Sequence, residues 1–166
     1  MMIPSLRVDD RLIHGQIAMV WSKEFGTNRI VVANDRAVTD EVSNLTLRMA
    51  TPGGIKLLIK TVDDAIKLFN NPKAQGVDMF VLTNNVADAV RIVKGCPGYV
   101  QSVNVANVGR FDLTPPSEKI VINGAITLNK DELAALKELA TLDVKAFQQI
   151  LPSDRKTPVS ELLKGQ

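Results

Sequence analysis

Ten consecutive residues, Arg7-Val8-Asp9-Asp10-Arg11-Leu12-Ile13-His14-Gly15-Gln16, hold two arginines, two aspartates, a glycine and the only histidine of the 166-residue chain. A neutral imidazole is a nucleophile near pH 7 because its ordinary pKa lies close by. Its attack on phosphorus gives a phosphoramidate, a species suited to passing the group onward. Arg11, and Arg7 with it, offer planar, permanently charged forks for phosphate oxygens. Asp9 and Asp10 are placed to hold those arginines, and one of them to orient the imidazole by accepting a ring N–H. Gly15 and Gln16 begin a helix, where unpaired amides and the helix dipole favour an anion. Phosphoryl transfer needs mainly positioning and charge stabilisation, so this short set suffices chemically. Taken singly, the same residues have plainer readings: a core or surface histidine, and a solvated ion-pair network. Their joint position is what favours chemistry, and that depends on the elements around them.

Apolar, β-branched runs alternate with amphipathic stretches. Strands are expected at Ser5-Leu6-Arg7-Val8, Ile30-Val31-Val32-Ala33, Ile55-Lys56-Leu57-Leu58-Ile59, Met79-Phe80-Val81-Leu82, Ser102-Val103-Asn104-Val105, Lys119-Ile120-Val121-Ile122 and Val144-Lys145-Ala146-Phe147. Several are nearly continuous apolar runs, as in strands covered on both faces. Helix starts are marked by Thr61 with Asp64, Asn85 with Asp88, and Asn129 with Glu132 as capping-box pairs. Further helices begin at Gly15, with Ile17, Val20 and Trp21 on one face, and span about residues 40–49, with Val42, Leu45 and Met49 as the apolar face. Thr157-Pro158 opens a short terminal helix with proline in its first position. The order implies an α/β fold in three layers: a mostly parallel sheet of about six or seven strands, with helices on both faces, in a single domain over residues 1–166. Ligands of such sheets sit beyond the carboxyl ends of the strands. That edge is where residues 9–16 and Thr83-Asn84-Asn85 fall, so Thr83 joins the candidates as a hydroxyl near the switch point. The residue 95–117 region, rich in Gly, Pro and Asn, reads as loops around one strand. Within it, residues 104–110 supply either an amide-rich loop or plain turns.

Composition removes other classes. With 45% hydrophobic residues a core is available without staples, and the lone Cys96 cannot form an internal disulfide. The longest apolar run, Ile17 to Trp21, is far short of the roughly 20 residues a membrane helix needs. Charged residues near the start do not suit a secretory leader, so a cytoplasmic protein is expected. Basic residues number 20 against 18 acidic and are dispersed, and aromatics are scarce, so no nucleic-acid partner is expected. One histidine and one cysteine without ligand spacing suggest no metal and no cofactor. Cys96 is a rival nucleophile, but only His14 could serve it as an imidazole base.

The run Arg7-x-Asp9-x-Arg11-Leu12-x-His14-Gly15-Gln16 resembles the signature of the EIIB component of the mannose/fructose/sorbose class of the bacterial phosphoenolpyruvate-dependent sugar phosphotransferase system. The likeness extends along essentially the whole chain. It takes in Asn70-Asn71-Pro72-Lys73, Leu82-Thr83-Asn84 and Ser102-Val103-Asn104-Val105. One departure is Ala106, where related chains often carry glycine. The resemblance implies a mostly parallel α/β sheet. It implies that His14 takes a phosphoryl group on Nδ1 from a histidine of an EIIA partner and passes it to a sugar. That sugar would be moving through membrane EIIC and EIID components, placing a cytoplasmic protein at the membrane periphery. Arg11 matches the arginine important for transfer; Asp9, Asp10 and Arg7 match the surrounding network. A homo-oligomer is compatible with the family. Two other readings remain open on the residues: a receiver-like signalling domain phosphorylated on aspartate, and a non-catalytic adaptor with an inert anion pocket.

Overall fold

A computed structural model describes residues 3–166, and for Gln16 the main chain alone. Five parallel strands follow from the β-branched runs: β1 (Ser5–Asp9), β2 (Arg29–Ala33), β3 (Lys56–Lys60), β4 (Phe80–Thr83) and β5 (Ser102–Asn107). Between them lie α1 (Gly15–Glu24), α2 (Asp35–Thr39), α3 (Glu41–Ala50), α4 (Val62–Phe69) and α5 (Val86–Gly95). A small antiparallel pair, β6 (Ile120–Val121) and β7 (Thr127–Leu128), leads to α6 (Lys130–Leu139), β8 (Lys145–Gln148), β9 (Thr157–Pro158) and α7 (Val159–Leu162). The main sheet has seven strands in the order β3-β2-β4-β1-β5-β8-β9, parallel except for β9 on β8.

Side-chain alternation divides the core in two. Leu6, Val8, Val31, Ala33, Val81, Val103 and Val105 pack with the apolar faces of α4, α5 and α6. Ile30, Val32, Phe80 and Leu82 face the other way, onto Ala18 and Trp21 of α1, Ala37 of α2 and Leu47 of α3. Helices therefore cover both faces, as the sequence implies. On β1 the second face carries Ser5, Arg7 and Asp9, all buried. The centre of the sheet thus delivers polar groups to its own carboxyl edge on the side of α1.

Capping follows the sequence closely. Thr61, Asn85 and Asn129 each accept, through side-chain oxygen, the amide three residues on. The carboxylates expected to complete the boxes take other partners: Asp64 accepts from Lys67 Nζ, Asp88 from Asn85 Nδ2 and Arg91 Nη1, and Glu132 from Val86 N and Ala87 N, 2.6 and 3.1 Å away, so that Glu132 caps α5 from α6. Burial pushes the Glu132 carboxyl up from its ordinary value, against the pull of those two amides.

Several expectations need correction. Lys119 to Ile122 yields only the two residues of β6, outside the main sheet, because the turn at residues 123–126 folds the chain back at once. Thr157-Pro158 is strand β9, and Pro158 precedes α7 as its cap residue. Pairing with Phe147 and Gln148 keeps that dipeptide extended. The Val42, Leu45 and Met49 face of α3 points to solvent, at 75, 59 and 77% exposure, and Leu47 is the buried residue. Helix α2, which the spacing does not reveal, sets this orientation: it packs on both α3 and β3, and Asn44 Nδ2 donates to Ala37 O. No helix among the described residues is long and apolar enough to cross a membrane.

Candidate functional site

The edge of the sheet is shaped by a bulge. Val8 is in register with Val105 but Asp9 with Asn107, so Ala106 is the extra residue on β5. A bulge re-aims the side chain that follows it. Here it brings Asn107 round to the α1 side, where its Nδ2 donates to Asp9 Oδ2 at 3.3 Å. Beyond β1 the chain turns sharply: Asp10 N donates to Asn107 O and Leu12 N to Asp9 O. Leu12 sits at φ 58°, the left-handed region. That costs a leucine about 1–2 kcal/mol. Leu12 is 9% exposed and Ile13 3%, both in the core beneath α1. Burying each is worth roughly 1.5–3 kcal/mol, which outweighs the strain and pins the turn. With Leu12 and Ile13 held inside, Arg11 and His14 are left at the rim.

Asp9 is the hub. Its side chain is fully buried. Oδ2 accepts from Arg7 Nη2 at 3.3 Å and lies 3.1 Å from His14 Nε2; Oδ1 accepts from the amide of Arg11 at 3.2 Å. Burial pushes its pKa up. The His14 hydrogen bond, the Arg7 charge and the Arg11 amide outweigh it and hold the carboxyl below its ordinary value. Asp9 is therefore ionised at neutral pH. An ionised carboxylate only accepts, so the ring nitrogen facing it carries the hydrogen. The lone pair of neutral His14 then lies on Nδ1, for which the described residues supply no hydrogen-bond partner. The ring is 18% exposed and stands at the N-cap of α1, whose first turn has no acidic residue.

The arginines divide in role. Arg7 is 1% exposed: Nη1 donates to Gln149 O and Ile150 O, Nη2 to Asp9, Nε is buried with no hydrogen-bond partner among the described residues, and the guanidinium lies 5.4 Å from the Trp21 ring. Trp21 Nε1 donates to the same Ile150 carbonyl. Burial pulls the Arg7 pKa down, and Asp9 opposes it. Arg7 supports Asp9 from below and does not reach the rim. Arg11 is 44% exposed, and its Nε lies 4.0 Å from Asp9 Oδ1. Asp10 does not turn to the imidazole. It accepts from Arg110 N, Nε and Nη2.

Among the remaining candidates, Gly15 opens α1 at φ 45°. Gln16 follows in α1, and its side chain lies outside the described residues. Thr83 is in register with Val8, hence on the opposite face from Asp9, buried and donating to Asn85 O. A cavity of about 190 Å³ beside the rim is lined by Asp10, Asn84, Asn85, Asp112 and Glu132 among others, and not by His14. Cys96 is buried, its thiol pushed up to about 11 by burial against a weak Asn70 hydrogen bond. Sequence reasoning missed Asn107, Gln149, Trp21 and Arg110. Only the amide-rich stretch at residues 104–110 gave a signal; the rest are joined to the site by pairing that has no local signature.

The family model of the PTS system sorbose subfamily IIB component matches residues 3–166. A probable phosphotransferase enzyme IIB component of Streptococcus pyogenes is 49% identical over 98% of this chain and 99% of its own. The mannose-specific EIIAB component of Escherichia coli is 29% identical over 98% of this chain, which spans 49% of that longer protein. Among solved structures, the IIB domain of the Klebsiella pneumoniae sorbose permease superposes with a TM-score of 0.88 at 30% identity, covering 100% of this chain and 99% of that one.

Proposed function

Since the chain belongs to the sorbose subfamily of phosphotransferase-system IIB components, we propose that His14 is its phosphoryl carrier. It takes the group from a phosphohistidine of an EIIA partner and delivers it to a sugar entering through membrane EIIC and EIID components. The observation that carries this is the buried Asp9 carboxylate on Nε2, which leaves the Nδ1 lone pair to the rim. In the first step Nδ1 forms a bond to phosphorus while the donor's N–P bond breaks and its electron pair returns to the donor ring. The phosphorylated His14 ring gains positive character, which Asp9 balances. Arg11 and the first-turn amides of α1 meet the phosphoryl oxygens. In the second step a sugar hydroxyl oxygen bonds phosphorus, its proton passes to a base, and the N–P electron pair returns to Nδ1. The fused EIIAB relative supports an EIIA donor. The open rim suits a group that must meet two partners in turn.

The test is transfer from a phosphorylated EIIA domain, with the labelled residue mapped under alkaline conditions that preserve phosphohistidine. Label is expected on His14 and lost in His14→Ala. Label that persists in that variant refutes the assignment. Arg11→Ala is expected to slow transfer about 100-fold with docking little changed. An equal loss of docking argues against a role in the transition state.

A further inference from the structure

A phosphoryl group brings about 1.5–2 negative charges. On His14 it would arrive beside Asp9, which is buried and ionised, with Asp10, whose side chain is 5% exposed, as the next residue along the chain. Against these stand Arg7 and Arg11, plus the partial charge at the start of α1. Arg7 is out of reach: it is 1% exposed, its Nη atoms are held by Asp9 and two main-chain carbonyls, and it lies beneath Trp21. Of these two arginines only Arg11 stands at the rim to meet a dianion beside the Asp9 carboxylate.

A third arginine stands at the same edge. The amide of Arg110 donates to Asp10 Oδ2 at 3.1 Å, as does Nε, and Nη2 reaches Oδ1. Its guanidinium lies 5.5 Å from the Phe111 ring, and its side chain is 43% exposed. The main chain beneath it is fixed. Gly109, at φ 98°, packs so tightly that a Cβ would fall 1.5 Å from Thr127 O, and Val108 is bonded to Ala125 and Thr127. Asp10 and Asp9 are consecutive, with Cα atoms about 3.8 Å apart. The group that holds the Arg110 guanidinium is thus the chain neighbour of the group that holds the imidazole. An arginine has more donors than one carboxylate uses. The side chain can lean toward a new anion while its own amide stays on Asp10. The Asp10 hydrogen bond and the charges of both aspartates hold Arg110 firmly protonated against its partial burial.

We infer that Arg110 is a second phosphoryl-binding residue, parked on Asp10 in the free chain and shared with the phosphoryl group once His14 carries it. This rests on the phosphohistidine reading above. It assigns Asp10 the task of holding Arg110 in place.

The test uses the full chain phosphorylated with potassium phosphoramidate, so that no docking partner intervenes, and follows the phosphoryl group by 31P NMR against pH. Removing a nearby cation raises the titration midpoint of the phosphoryl group. Arg110→Ala is expected to raise it by roughly half a unit, discounted for exposure, with Arg110→Lys recovering part of the shift. The phosphohistidine half-life and the rate of return to an EIIA domain should change with it, while the thermal midpoint stays near wild type. A midpoint unchanged in Arg110→Ala, with wild type labelled on His14, overturns the role of Arg110 alone. A wild-type chain that takes no label on His14 overturns both readings.

Discussion

Asp9 carries more of the account than any other single residue. Asp9→Asn keeps the shape and removes the charge, leaving Arg7 buried without its carboxylate. Breaking a buried pair from one side costs about 3–5 kcal/mol, so denaturant unfolding at pH 7 should show a loss of about that size. Transfer should fall about 100-fold, because the imidazole loses both its tautomer and its counter-charge. The pH dependence has a definite sign. The folded-state pKa of Asp9 is lowered, so over that window the unfolded chain binds more protons. Its contribution is therefore complete above the unfolded value of about 3.9 and is lost as pH falls through the lower folded value. The acid limb of a stability–pH curve should accordingly flatten in Asp9→Asn, and an unchanged limb would contradict the pairing. At this scale the sequence shows that His14, two aspartates and two arginines share one ten-residue run. Which aspartate meets the imidazole is decided by the alternation of β1, which sets Asp9 with Arg7 on the face that α1 covers; that α1 covers this face is a property of the tertiary fold that no local pattern carries.

Two glycines at the element scale separate conformational strain from close packing. Gly15 has φ 45° with nothing within 4 Å of where a Cβ would sit, whereas at Gly109 the Thr127 carbonyl occupies that space. Gly15→Ala should cost only the left-handed penalty, about 1 kcal/mol. Gly109→Ala must displace the loop from β7 and with it Arg110 from Asp10, so a loss of more than about 2 kcal/mol is expected by thermal or chemical unfolding. Equal costs would show that the Gly109 approach is not tight. Helix starts are legible in the sequence because Thr61, Asn85 and Asn129 act on amides three residues away. The path of Glu132 to the neighbouring α5 is not, since nothing local distinguishes its own cap from another. The apolar spacing of α3 correctly announces a helix but misplaces its buried side, which α2 determines.

For the whole molecule, the alternation of strand and helix patterns is enough to reach a mostly parallel sheet covered on both faces. What it does not give is the strand order, which brings the ends of β1, β5 and β8 side by side. That adjacency lets Arg7 span from Asp9 to the Gln149 and Ile150 carbonyls, and lets Asn107 join them. The same enclosure accounts for Cys96. It is 0% exposed with a raised pKa, so a thiol reagent at pH 7 should label it only after unfolding. Rapid labelling of the native chain would contradict the packing of α5. The site as a whole is a rim built on a rigid polar layer, with His14 as its outward group. The most direct test is 31P–15N NMR of the phosphorylated chain carrying 15N-histidine. Phosphorus is expected on Nδ1 of His14 with the proton kept on Nε2; phosphorus on Nε2, on an aspartate or on Cys96 refutes the assignment.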